Sequence, residues 1–255
     1  MGPARASAPR AEGGAVTFYR NETIERIAQR RLDELARCDG RSITFPIPVD
    51  RLAEAVLGLD FLWEEIEELP GETILGGLDV ERRLIVLNAG RQALFASKPG
   101  LERSTKGHEM GHWDLFVNRA MLGQDGLPGL QDGVSELVRR SQNGQITILA
   151  DRLRDPYFVE IAYQLLKRAD QPDVARTVNR YAAAIAMPRD LLRAEYAAID
   201  PTNWPDRYAL AKRCDVTISA LNVRLEQLDL SYVADREHIH RSKRKALGQL
   251  SLEGF

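Results

Sequence analysis

His108-Glu109-Met110-Gly111-His112 is the stretch on which the reading of this 255-residue chain turns. It falls on a helix expected over roughly Leu101 to Phe116. Residues four apart on a helix share a face, so His108 and His112 can bite one metal ion through their imidazoles. Glu109, next in sequence, can hold a water for proton abstraction. Zinc at such a site lowers the pKa of water to about 7 and polarises a scissile carbonyl as a Lewis acid. Gly111 allows another element to pack closely on the metal helix. The chain has 4 histidines and two of them occur in this pattern, which weighs against an ordinary polar helix face.

Upstream of that helix, Ile24, Ile27, Ala28, Leu32 and Leu35 keep helical spacing between Glu22 and Ala36. Pro46 and Pro48 break the chain, Asp50 opens a second helix through Leu57, and Gly58 ends it. Leu59 to Trp63 reads as a strand. Thr73–Leu78 and Arg83–Asn88 are apolar runs joined by a turn, a β-hairpin pattern. Downstream, Gly123 to Gly129 and Arg139 to Gly144 read as loops. Helices are expected over Pro156–Ala169, over Pro172–Ala186 (stopped before Met187-Pro188), and again over Arg189–Ala198. Two short helices lie between Arg207 and Leu228.

With 44% hydrophobic and 28% charged residues the chain is an ordinary globular protein, and its net charge of −2 gives no global pull toward nucleic acid. No eighteen-residue apolar run and no apolar signal core are present, so a cytoplasmic location is expected. Cys38 and Cys214 are too far apart for a motif and read as small buried apolar residues.

Beyond the histidine motif, the chain resembles the ImmA/IrrE family of metallopeptidases. The approach Arg103-Ser104-Thr105-Lys106-Gly107 leads into His108-Glu109-Met110-Gly111-His112-Trp113, with Ser104 where the family carries an aromatic. Asn179-Arg180-Tyr181-Ala182-Ala183-Ala184-Ile185-Ala186-Met187-Pro188 matches a second family pattern. Trp204, Tyr208 to Ala211, Val216, Ala220-Leu221 and Arg224-Leu225 match a third, so the likeness spans about Pro48 to Leu230. The resemblance implies an α+β, zincin-like domain with a small antiparallel sheet over residues 59 to 88 and a C-terminal helical, helix-turn-helix-like segment. It also implies a zinc peptidase that cuts one regulatory protein, often a helix-turn-helix repressor, to control transcription.

One departure concerns the metal. The family places a glutamate ligand within about one turn before the Asn, where this chain has Ala175, Arg176 and Thr177. Asp173 is the nearest carboxylate that could serve as the third ligand, Glu160 is the alternative, and Asp114 points from the wrong side of its helix. Asn179 and Tyr181 are candidates to support the site, Tyr181 through the developing oxyanion. His and carboxylate ligands suit zinc, although another divalent metal is tolerated.

The expected layout is a tail over 1–16, a metallopeptidase-like domain over 17–200, a helical segment over 201–235 packed on it, and a basic tail over 236–255. Two rival readings remain. In the first, residues 210–221 with the basic tail bind DNA directly, Asn222, Arg224 and Gln227 being the base-reading side chains. In the second, the chain is a protein-binding regulator with a degenerate metal site.

Overall fold

The computed structural model describes residues 19–68, 73–79, 82–98, 100–117, 138–141, 146–147, 172–200, 202–235 and 238–241. The expected N-terminal tail, the helix over 156–169 with Glu160, and the loop over 123–129 lie outside them.

The protein is mixed α and β, with helices packed against a small sheet. Helix α1 (Asn21–Asp39) turns Ile24, Ala28, Leu32 and Leu35 inward and ends on Gly40, whose left-handed backbone returns an N–H to the Ala36 carbonyl. Helix α2 (Val49–Leu52) widens into a π-type turn over Ala53–Leu57 before Gly58 stops it in the same left-handed way.

Strand β1 (Asp60–Glu64), β2 (Ile74–Asp79) and β3 (Leu84–Asn88) follow. The β2–β3 hairpin forms as expected, Gly77 facing Val86. The sheet is not purely antiparallel, however: β1 runs parallel to β3, Asp60 opposite Leu84 and Glu64 opposite Asn88. Asn88 accounts for the crossover. Its buried side chain accepts from the Ile66 N–H at 3.2 Å and donates to the Ile74 carbonyl at 2.9 Å. The chain leaving β1 is thereby held over the end of β3 before it enters β2. A second correction falls on Arg139 to Gly144, expected as a loop. Val138–Ser141 forms β4 along the free side of β2, and Ile146–Thr147 forms β5 beside it, giving the order β1-β3-β2-β4-β5. The β4 pairing is made by backbone groups on both sides, to β2 and to β5, and so needs no apolar run in the sequence.

After the short helix α3 (Gln92–Ser97) comes α4 (Leu101–Phe116), which carries the histidine motif. Gly100 opens it at φ +81, and a Cβ there would lie 2.7 Å from the Val216 Cα. Only glycine fits, since both the backbone conformation and the close approach exclude a side chain. The same contact joins α4 to the turn between the last two helices. Helix α5 (Pro172–Ala186) crosses α4, and α6 (Arg189–Ala197) restarts after Pro188.

Helices α7 (Trp204–Cys214) and α8 (Ile218–Gln227) meet at Asp215, which is left-handed, and at Thr217, whose hydroxyl accepts from the Ala220 N–H. The C-terminal helices pack with Met187 and Leu192 around a second cluster of Leu210, Cys214, Leu221 and Leu225, next to the main core, with Phe45 packing against both. Arg103 ties the two together, donating through Nε and Nη2 to Asp215 and through Nη1 to the Ile47 carbonyl. Strands β6 (Tyr232–Asp235) and β7 (His238–His240) form an antiparallel ribbon, so the expected basic tail contains a strand. Cys214 is buried, which pushes its thiol up to about 12, whereas Cys38 is exposed, contrary to the sequence reading. It sits on the outer side of the last turn of α1.

Glu25 of α1 offers a pH test of the packing between α1 and α8. Burial alone would raise its pKa, but the Arg224 guanidinium, with Arg189 and Arg180 behind it, holds it below the ordinary carboxylate value. A depressed folded-state pKa means that the stabilisation is complete above the unfolded value, about 4.3, and is lost as pH falls through the folded one. The melting temperature of the wild type should therefore fall more steeply below pH 4.3 than that of Glu25→Gln. Parallel curves would remove Glu25 from the account.

Candidate metal centre

Two small residues set the distance between α4 and α5. A Cβ on Gly107 would lie 3.2 Å from the Ala182 Cβ, and one on Gly111 would lie 3.1 Å from the Val178 Cβ and 3.3 Å from the Tyr181 ring. The helices are antiparallel, since rising residue numbers on α4 meet falling ones on α5. Gly111 permits the close packing read from the sequence.

This contact brings Asn179 to the histidines. The Asn179 Oδ1 lies 2.7 Å from the His108 Nδ1, and the His108 and His112 Nε2 atoms lie 3.1 Å apart. The amide oxygen is an acceptor, so it calls for the proton on Nδ1 and leaves the His108 Nε2 lone pair facing His112. Two nitrogens at tetrahedral angles on one zinc, each bonded at about 2.0–2.1 Å, stand about 3.3 Å apart. The pair is within a few tenths of an ångström of that spacing, so its donor atoms fit a shared cation. His108 and Glu109 are buried and His112 is half-buried.

Asp114 is directed elsewhere. Two residues beyond His112, it projects about 200° around the helix. Its fully buried carboxylate receives the Arg31 Nε at 2.9 Å, the Arg31 Nη2 at 2.7 Å and the Tyr181 hydroxyl at 2.9 Å. The bond to Asp114, with Glu34 adding to it, raises the Arg31 pKa against the cost of burial. Tyr181, a candidate for the oxyanion, thus directs its hydroxyl to Asp114, and its buried ring packs on Gly111. Trp113 lies in the core, its indole N–H donating to the Leu57 carbonyl at 3.2 Å.

Among the described residues, no group of three or more His, Cys, Asp or Glu side chains gathers around a metal position. Asp173 lies in the first turn of α5, and Glu160 is outside the described residues. The α5 turn before Asn179, where the family pattern expects its glutamate, carries Ala175, Arg176 and Thr177.

No protein-family model and no curated protein matches this chain.

Two neighbours of the site could not be found by motif. Arg31 lies 83 residues before Asp114, and nothing in its helical spacing points to that partner. Lys106, on the approach to the motif, is buried between Asp50 and Glu102 with its ammonium 4.6 Å from the Phe61 ring centre. Burial opposes its charge, but its bonds to Glu102 and Asp50 raise its pKa nonetheless. The lysine fixes α4 to α2 two residues before His108.

The side chains named for base reading lie mostly inside. Arg224 is fully buried, with Nη1 2.5 Å and Nη2 2.8 Å from the Glu25 carboxylate. Asn222 accepts from the Arg207 Nη1 at 2.6 Å, and the Gln227 amide oxygen is buried. Among the described residues, no helix is long and apolar enough to cross a membrane.

Proposed function

We propose that this protein is a zinc-dependent, site-specific peptidase that cleaves a regulatory protein of the repressor type. The observation that carries the reading is the 3.1 Å approach of the His108 and His112 Nε2 atoms, with Asn179 on the far nitrogen of His108. His108 and His112 would hold the metal, with Asp173 or Glu160 the carboxylate proposed to join them. Zinc, when bound, supplies a Lewis acid that polarises the scissile carbonyl and acidifies water.

The remaining work falls to the chain. Glu109, buried and adjacent to His108, accepts a proton from the attacking water and passes it to the leaving amine. Asn179 keeps His108 in the tautomer that presents Nε2. The Gly107 and Gly111 contacts keep α5 close enough for Asn179 to reach. The choice of a repressor as substrate rests on the family resemblance of the sequence motifs.

The reading in which α8 reads DNA bases is disfavoured, because Arg224 and Asn222 are engaged within the protein and their release would uncover Glu25 and Arg207. The test is cleavage of a candidate repressor by the purified protein. Cleavage should stop on chelation and return with zinc. Cleavage that persists at full rate after complete metal removal would refute the metallopeptidase reading.

A further inference from the structure

Three guanidinium groups from three helices crowd one carboxylate. Arg180 of α5, Arg189 at the start of α6 and Arg224 of α8 all act on Glu25 of α1. Arg224 takes both Glu25 oxygens, and its Nε donates to the Met187 carbonyl at 3.0 Å. Arg180 is then left 3.9 Å from Glu25, beyond hydrogen-bond reach, with a long 3.4 Å bond from Nη2 to the Gln227 carbonyl. The Nε atoms of Arg180 and Arg189 are both buried without a hydrogen-bond partner among the described residues, as is the amide oxygen of Gln227.

The charges do not balance either. Exposed Glu22 is the second carboxylate that acts on Arg180, so among the described residues three cations face two anions. Buried donors without acceptors and like charges held together are both costly, and an anion among them relieves both. Guanidinium groups are suited to that task, since their planar forks match the oxygens of phosphate. Helix α6, nine residues long, begins at Arg189 with no side chain capping its first turn, so the positive end of its dipole lies at the base of the Arg189 side chain.

We propose that Arg180, Arg189 and the start of α6 form a binding site for a phosphate-type oxyanion, separate from the histidine pair. A water molecule could satisfy one orphan donor but would leave the excess charge in place. Arg180 directly follows Asn179, so the anion would sit on the helix that positions the His108 partner.

The experiment is thermal denaturation of the full chain in sodium phosphate against sodium chloride of equal ionic strength, beside the Arg180→Gln/Arg189→Gln variant. Arg224 is left in place because its loss would unpair Glu25. At tenfold excess over the dissociation constant, phosphate should raise the wild-type melting temperature by about 3–6 °C. The variant, shown to be folded by circular dichroism, should lose that rise, and calorimetric titration should show at least tenfold weaker binding. Single Arg189→Gln, the milder change, should show an intermediate loss and serves if the double variant does not fold. Glycerol phosphate in a parallel arm tells a free oxyanion from a phosphomonoester, and binding of either supports the site. A phosphate effect no larger than that of chloride, or one retained in full by the variants, would overturn the proposal.

Discussion

Glu109→Gln should lower the cleavage rate by about 10³-fold or more while the protein stays folded and keeps its zinc. The substitution is nearly isosteric, so the buried position of Glu109 in α4 is filled as before. It changes proton affinity alone: a carboxamide cannot take a proton from water near neutral pH, and the proposed ligands His108 and His112 are untouched. Single-turnover cleavage of a candidate repressor, read beside zinc content, separates this effect from loss of the metal. A variant that cuts at the wild-type rate would remove Glu109 from the chemistry. A wild type that binds its partner without cutting it, with the variant binding equally well, would make the chain a protein-binding regulator.

The second large effect concerns stability. Arg31→Met should destabilise the fold by about 3 kcal/mol, because it strips the guanidinium from a fully buried carboxylate. Arg31 makes three bonds to Asp114 and one to Glu34, and Asp114 in turn receives the Tyr181 hydroxyl. One ion pair therefore links α1, α4 and α5 directly behind the histidine turn. The melting temperature should fall by about 6–12 °C for a domain of this size. Arg31→Lys should recover only part of it, since an ammonium cannot reproduce the fork. A loss below 1 kcal/mol in chemical denaturation would show that Asp114 is satisfied without Arg31.

What the sequence disclosed follows from the range of the interactions. Helix α4 was legible at both ends, and α5 too, because Pro172 opens it and Met187-Pro188 bars its continuation. The Asn179 contact with His108 was reachable only through the motif resemblance, for it depends on a helix crossing 71 residues away. The parallel placement of β1 was not legible: it is decided by Asn88 holding two backbone segments, and strand periodicity carries no information about neighbours. Strand β4 was hidden because Arg139 and Arg140 break the apolar pattern of a core strand. Cys38 deceived for the opposite reason, a residue type usually buried that lies on the exposed side of an amphipathic helix. Glycine at 107 carried a signal that only Gly111 was given: both are seats for α5, four residues apart on the same face.

The third ligand was not legible, because Ala175, Arg176 and Thr177 occupy the turn in which a carboxylate was sought. The decisive measurement is the zinc content of the purified chain, beside His112→Ala, Asp173→Ala and Glu160→Ala. About one zinc per chain is expected in the wild type, lost in His112→Ala and in one of the two carboxylate variants. A wild-type protein that takes up no zinc when supplied with it would rule out a zinc site at His108 and His112.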